Sequence, residues 1–323
     1  MKKVLLYGAG QGLLDFRKFH VSDEIYNIVG VCDACEDKKG QEYVLNNMAY
    51  RVISPNEIKS VDYDEIIVTS NKYYNEIEKT LIKSGIDKQR IVSKMTIAER
   101  ILSVEVFRHL YGIEVGGPSA VFSSIYDVCN GCDGVNWNDD TIWTGRIESD
   151  YMYAEKKIGV NYICDAVDLS SITDEKYDFY LSSNNLEHIA NPIKALHEAV
   201  RVTNPGGILE IVVPEKTYNF DHNRCNITFE HLLSDEHNNT GEDDLTHLDE
   251  ILRMHDLEFD TAAGSREEFE IRSKDNLHNR CLHQHVFSEQ VMEQVFEYIE
   301  LVNIKTAIFG GNIYISGKKN VPQ

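Results

Sequence analysis

Gly112-Ile113-Glu114-Val115-Gly116-Gly117-Pro118-Ser119 reads as an apolar strand that runs into an acidic residue and a tight glycine turn. A chain that bends this way at the carboxyl end of a strand offers backbone groups where open α/β sheets bind ligands. Later segments follow in order: Cys164-Asp165-Ala166, Tyr177-Asp178-Phe179-Tyr180-Leu181-Ser182-Ser183, Leu186-Glu187-His188 and Asn204-Pro205-Gly206-Gly207. Each is weak alone. Their order predicts the ligand-side loops of one doubly wound domain.

Working outward, strands are expected at Ile113–Val115, about Ile125–Val128, Tyr162–Cys164, Tyr177–Ser182, Ile208–Val213, about Ile299–Ile308 and Asn312–Ser316. A helix after Asn191-Pro192 is the clearest: Asn191 caps it, Pro192 suits its first turn, and Ile193, Leu196 and Val200 share a face. Between Glu215 and His285 lies an acidic, histidine-rich insertion after the fifth strand, far longer than a usual connection. Ten of the twelve histidines fall between His188 and His285. Ile227–Leu233 and Leu245–His255 have helical spacing there, and such insertions at strand ends commonly carry the substrate side of a site.

Upstream, residues 1–95 predict a smaller α/β unit. Strand Lys3–Tyr7 enters Gly8-Ala9-Gly10-Gln11-Gly12, and Ile28–Cys32 ends in Asp33. Glu65–Thr69 and Ile91-Val92 supply further strands, and Tyr73–Ser84 a helix stopped by Gly85. Thr96–Leu110 reads as one connecting helix, so the expected division is 1–95, a connector 96–111, and 112–323 with the insertion at 215–285. The fold class is α/β, with two doubly wound Rossmann-like domains.

The 323 residues are 42% hydrophobic and 26% charged, a globular composition. A net charge of −21 argues against nucleic-acid backbone binding, which needs clustered Lys and Arg. The start, Met1-Lys2-Lys3-Val4-Leu5-Leu6-Tyr7, runs straight into glycines and not into a secretory apolar core, and no apolar run is long enough to span a bilayer. A cytoplasmic protein is expected. Seven cysteines suggest reduced thiols. Cys32/Cys35 and Cys129/Cys132 have C-x-x-C spacing, but the pairs lie in different predicted domains, and no metal site is assigned.

The first glycine turn brings backbone near a phosphate or ribose position, with Asp33 placed for a ribose hydroxyl. The third glycine comes one position early for a dinucleotide fingerprint, so an empty packing turn competes equally. In the second domain the residue types suit an adenosyl sulfonium. Glu114, Gly116, Gly117 and Ser119 form the turn for its amino-acid end. Asp133, or Asp127, is placed for the ribose; Asp165 and Ala166 for the adenine edge; Ser182 and Ser183 beside the methionine portion. His188 reads as a packed or capping histidine, and Glu187 as either a cap or a pocket residue.

From Gly112 to Lys318 the chain resembles class I S-adenosylmethionine-dependent methyltransferases of the type 11 family. Asp165-Ala166-x-x-Leu169, Tyr177-Asp178-Phe179, Leu186-Glu187-His188-Ile189, Ala195-Leu196-x-Glu198 and Arg201-Val202-x-x-Pro205-Gly206-Gly207 carry the likeness. It departs in its first motif, which lacks the acidic-x-Gly-x-Gly-x-Gly pattern, and between Tyr126 and Trp143, where no obvious second strand appears. The first domain resembles the N-terminal domain of sugar acetyltransferases of the PglD type. The matching residues are Leu5-Leu6-Tyr7-Gly8-Ala9-Gly10, Ile28-Val29-Gly30-Val31-Cys32-Asp33, Lys39-Gly40, Tyr63-Asp64-Glu65-Ile66-Ile67-Val68 and Gly85-Ile86. The two resemblances imply S-adenosylmethionine as cofactor, O-methylation of a sugar or glycan precursor, and a nucleotide sugar at the first domain.

If the acceptor is an alcohol, a base is required. His222, His283 and His285 are the candidates, the last two on one side of the chain if that segment is extended. Asp221, His222, Asp243, Asp244, His283 and His285 could instead gather a divalent metal. An NAD-dependent oxidoreductase and a non-catalytic nucleotide-sugar-binding scaffold are the alternatives. Oligomeric state is not legible.

Overall fold

The computed structural model describes residues 1–22, 26–143 and 145–321. The chain divides into two units, Met1–Ser103 with Thr306–Gly310, and Val104–Lys305 with Gly311–Gln323.

In the first unit the strands are β1 (Lys2–Tyr7), β2 (His20–Val21), β3 (Tyr26–Cys32), β4 (Glu42–Leu45), β5 (Met48–Ile53), β6 (Glu65–Val68) and β7 (Ile91–Ser93). The main sheet runs β4-β5-β3-β1-β6-β7. β1 pairs in parallel with both β3 and β6, as the alternation of apolar strands and helical spacing predicts. Leu5, Ile66, Val68 and Leu81 form part of its buried core. The helices are α1 (Tyr74–Lys83) and α2 (Lys94–Ile101). β2 pairs with Ala307 and Ile308, which belong to the same unit. The expected single helix over Thr96–Leu110 is broken: α2 ends at Ile101, Ser103 takes a left-handed φ of 50°, and a 3-10 turn follows at Val104–Phe107.

In the second unit the strands are β8 (Tyr111–Val115), β9 (Gly131–Asn136), a small hairpin β10 (Asp140–Thr141) and β11 (Gly145–Arg146), β12 (Asp150–Tyr153), β13 (Lys156–Ile163), β14 (Tyr177–Ser183), β15 (Thr203–Pro214), the Leu301–Lys305 part of β16 (Leu301–Phe309) and β17 (Asn312–Lys319). The sheet order is β12-β13-β9-β8-β14-β15-β17-β16. β13, β9, β8, β14 and β15 are parallel, and β17 enters antiparallel beside β15. Strand order reverses between β8 and β14, so the carboxyl ends of these two strands flank the crevice where such sheets hold ligands. The helices are α3 (Ser123–Val128), α4 (Pro192–Val202), α5 (Phe229–Asn238), α6 (Leu248–Met254), α7 (Arg266–Lys274), α8 (Asn276–Asn279) and α9 (Glu289–Tyr298). α4 starts as expected, with the Asn191 side chain accepting from Lys194 N–H.

The expected strand at Ile125–Val128 is helix α3, and the second parallel strand is instead β9, Gly-Cys-Asp-Gly-Val-Asn. Its glycines are steric requirements. A Cβ at Gly134 would lie 2.4 Å from Tyr151 Cδ2, and one at Gly131 would lie 2.8 Å from the Ile158 carbonyl oxygen. The insertion between β15 and α9 is helical, as its spacing suggests, and Ile251, Ala263, Phe269 and Leu282 give it a small core of its own.

Gly134→Ala should therefore lower the denaturation midpoint, by about 1–3 kcal/mol of overpacking. Gly10→Ala, where the added methyl meets only Lys38 Nζ at 3.7 Å, should leave the midpoint unchanged; chemical denaturation followed by circular dichroism checks both.

Candidate functional site

A cavity of about 450 Å³ opens at the carboxyl ends of the parallel strands of the second unit. Val115 and Gly116 at the end of β8, Asn136 and Trp137 at the end of β9, and Cys164, Asp165 and Ala166 after β13 form one wall. Asn184, Asn185, Glu187 and His188 follow β14. The insertion closes the cavity with Asn219, Phe220, Arg272, Arg280 and His283.

The glycine turn is supported from beneath. Glu114 is fully buried, and its Oε2 accepts from Tyr126 Oη at 2.5 Å and Tyr151 Oη at 2.6 Å. Burial pushes the Glu114 carboxyl above its ordinary range, against the hydrogen bonds it accepts. A Cβ at Gly117 would lie 2.2 Å from both Glu114 Cδ and Tyr151 Oη, so only glycine fits over this pair. Gly116 has φ 79°, and a Cβ there would meet Asn185 Nδ2 at 2.6 Å. Glu114, Gly117 and Ser119 thus shape the turn from behind, with Ser119 N–H donating to Tyr126 Oη, and Gly116 is the member that lines the cavity.

Asp165 and Ala166 lie on the cavity wall, where the sequence placed them. Asp165 accepts from Arg280 Nη2 at 2.9 Å, while Arg280 Nη1 is 2.9 Å from Glu242 and the guanidinium lies 5.0 Å from the Trp137 ring centre.

Asp133 is corrected. It sits inside β9, not at its end, and its carboxylate accepts from Tyr111 Oη, Tyr177 Oη and Val160 N–H at 2.7–3.0 Å. A carboxylate so saturated and only 3% exposed has nothing to offer a ribose. Its competitor Asp127 lies in α3 and does not line the cavity. The residues that reach the cavity from this strand are Asn136 and Trp137, and Trp137 Nε1 is buried without a partner. Ser182 and Ser183 are likewise buried within β14, and the two asparagines after them reach the cavity instead.

The three histidines separate. His283 lines the cavity; its Nδ1 is 2.5 Å from Asp221 Oδ2, and its ring packs 4.6 Å from both Phe220 and His188. Burial pushes the Asp221 carboxyl up, but the His283 hydrogen bond and the Arg224 guanidinium outweigh it and hold it below its ordinary value. His222 stands apart, with Nδ1 2.9 Å from the Asn219 carbonyl oxygen and Nε2 3.5 Å from Asp256. His285 is also outside the cavity, with Nε2 3.2 Å from Asp235. Residues 281–287 form neither helix nor regular strand, so the alternation expected of an extended segment does not hold. The metal set proposed from sequence is not assembled: of its members, Asp221 and His283 pair with each other and His285 faces another group of residues.

Glu187, left open between cap and pocket by the sequence, and His188, read there as a packed histidine, both line the cavity. Both Glu187 oxygens are buried with no hydrogen-bond partner, and Oε1 is 4.0 Å from His283 Nε2. Burial pushes the Glu187 carboxyl up to about 7. Burial, with His283 beside it, pushes His188 down to about 3, and its Nδ1 meets the Leu282 carbonyl oxygen at 3.0 Å. Unpartnered oxygens on Glu187 and Asn185 and the unpartnered Trp137 Nε1–H donor, around a glycine that admits no side chain, suit a ligand with amine and hydroxyl donors, an acceptor for the indole and a cationic centre.

In the first unit the glycine turn is closed on itself. Asp33 accepts from Ala9 N–H at 2.6 Å, Cys35 N–H at 2.8 Å and Lys38 Nζ at 3.2 Å. A Cβ at Gly12 would lie 2.0 Å from the Thr69 carbonyl oxygen, so that glycine serves close packing.

Residues 144–211 match a family profile described as a methyltransferase domain, and residues 1–92 one described as C2185-like, N-terminal. The PglD likeness of the first unit gains no support from this. No curated protein sequence matches. Among solved structures, the carbon methyltransferase CurJ aligns at 12% identity over 70% of this chain and 54% of its own, with a TM-score of 0.41. A SAM-dependent methyltransferase from Archaeoglobus fulgidus aligns at 14% identity over 76% and 100%, TM-score 0.38. An O-methyltransferase family protein from Burkholderia thailandensis aligns at 10% over 79% and 61%, TM-score 0.39. The chain thus spans about half the length of the first of these, and TM-scores at this level add nothing to the strand order described above. Among the described residues no helix is long and apolar enough to cross a membrane.

Glu187 has a folded value above its ordinary 4.5. Its contribution to stability is therefore full below that value and is lost as pH rises through about 7. Glu187→Gln should flatten this decline, by about 3 kcal/mol between the two limits, as urea denaturation at a series of pH values would show. Residues 144–211 are thus similar to a methyltransferase domain, within a unit whose strand order is that of an open α/β sheet with its switch point beside the cavity.

Proposed function

We propose that the chain is a cytoplasmic S-adenosylmethionine-dependent O-methyltransferase that acts on a hydroxyl of a sugar or glycan precursor. The observation that carries this reading is the Asp221–His283 pair at the cavity wall.

The cofactor, when bound, supplies an electrophilic methyl group on a cationic sulfur. The chain would hold it with the Gly116 turn, Asn185 and Glu187 at the amino-acid end, Asn136 and Trp137 for the ribose, and Cys164, Asp165 and Ala166 along the adenine. Glu187, pushed up to about 7 by burial in the ligand-free chain, would be drawn toward its charged form by a neighbouring cation.

Methyl transfer to an alcohol needs alignment, exclusion of water and removal of one proton. Asp221 accepts from Nδ1–H of His283, which fixes the tautomer with a lone pair on Nε2. That nitrogen takes the hydroxyl proton as the oxygen–methyl bond forms and the carbon–sulfur bond breaks. Phe220 and His188 pack against the base, Trp143 packs against His188, and these rings narrow the space for water. The aromatic faces of Phe220 and Trp143 suit the apolar face of a sugar ring. The sugar assignment otherwise rests on the pairing with the first unit. A nucleotide sugar there would have to compete with Lys38 for Asp33.

With nucleotide-linked and free sugars as acceptors, labelled methyl should appear on a hydroxyl. His283→Ala should reduce turnover ~10²–10⁴-fold while cofactor affinity stays within a few-fold, and Asp221→Asn should lower turnover in the same direction. His222→Ala should retain turnover. Unchanged rates in His283→Ala would remove the base from this account, and methyl found on carbon or nitrogen would remove the acceptor class.

A further inference from the structure

Three histidines of the insertion, outside the cavity, converge on one point, and Asp235 contacts two of them. His231 and Asp235 stand one turn apart on α5, His247 precedes α6, and His285 comes from the segment before α9. His247 Nε2 is 3.1 Å from His231 Nε2; His231 Nε2 is 3.3 Å and His285 Nε2 3.2 Å from Asp235 Oδ2. One nitrogen from each histidine lies within 4.8 Å of the others.

Hydrogen bonding alone leaves this group frustrated. An imidazole nitrogen carries one in-plane proton or one lone pair, yet His231 Nε2 faces both the His247 nitrogen and the Asp235 oxygen. His285 is 2% exposed, and its Nδ1 has no partner. Donor atoms around a tetrahedral ion with bonds of about 2.0–2.1 Å stand about 3.3 Å apart, close to the His231–His247 separation. The second oxygen of Asp235 is held by Thr240 Oγ1 at 3.1 Å, which fixes the carboxylate against His231 and His285. Arg224, whose charge faces this group, is paired with Asp221 at 2.9 Å and Glu250 at 3.2 Å.

We propose that His231, His247 and His285 bind one divalent cation of the zinc class in a site that staples the insertion, with Asp235 fixing His231 and His285 beside it. Three neutral imidazoles suit zinc, with water to complete four-coordination. The three histidines lie outside the cavity, so the ion's role is structural. It ties α5, the start of α6 and the segment that carries His283 two residues before His285. Its binding is independent of the methyl donor, so this site and the cavity stand or fall separately.

The test is zinc titration of the full chain, stripped with chelator, by calorimetry and elemental analysis, with cobalt as a spectroscopic substitute. One equivalent of zinc per chain, a raised melting midpoint and intense four-coordinate cobalt bands without a thiolate charge-transfer band are expected. Uptake should fall at least tenfold in His247→Ala and in His231→Ala, and persist in Cys32→Ser/Cys129→Ser. Failure of the wild-type chain to take up zinc overturns the proposal. So does a thiolate band in the wild-type cobalt form, which does not depend on any variant folding, or uptake that survives both histidine replacements.

Discussion

The buried carboxylate of Glu114 is the constraint on which the ligand side of the second unit depends. A carboxylate at zero exposure is costly unless its oxygens are satisfied, and the hydroxyls of Tyr126 and Tyr151 meet one of them. Those two rings come from α3 and β12, so the same contact that satisfies one carboxyl oxygen locks a helix and an edge strand against β8. The space they fill is what makes Gly117 obligatory, and with Asn185 pressed against Gly116 the turn has little freedom to move. The cavity is therefore shaped from behind, before any ligand enters.

The insertion completes the site from the other side. It brings Asp221 and His283 together over a separation of 62 residues, with His283 beside the buried Glu187 that follows β14. A low-dielectric wall that carries an unpaired carboxyl and an oriented imidazole stores the capacity to answer a cationic, proton-releasing ligand. The proposed staple lies two residues from His283, so rigidity in the insertion and alignment of the base are properties of one segment.

Much of this was legible in the residues. The order of strand, acidic residue and glycine turn located the crevice, and Asn191-Pro192 marked α4, because caps and periodicity are local signals. Asp165 and Ala166 were placed for the same reason: they follow an apolar strand directly. β9 was not legible. With two glycines and an aspartate it lacks the apolar alternation that marks a strand, and the glycines are there because the Tyr111 and Tyr151 rings claim the room a side chain would need. Asp133 misled for the same reason: its partners Tyr111 and Tyr177 lie on other strands. The parting of His283 from His285 depends on contacts with Asp221 and Asp235, some 62 and 50 residues away, and no spacing rule carries that information.

The most direct measurement is calorimetric titration of the full chain with S-adenosylhomocysteine, for the wild type and for Gly116→Val, whose side chain would strike Asn185 and fill the turn. Saturable one-to-one binding that weakens at least tenfold in the variant is the result this account predicts. No binding to the wild-type chain, or equal binding to both, would contradict it.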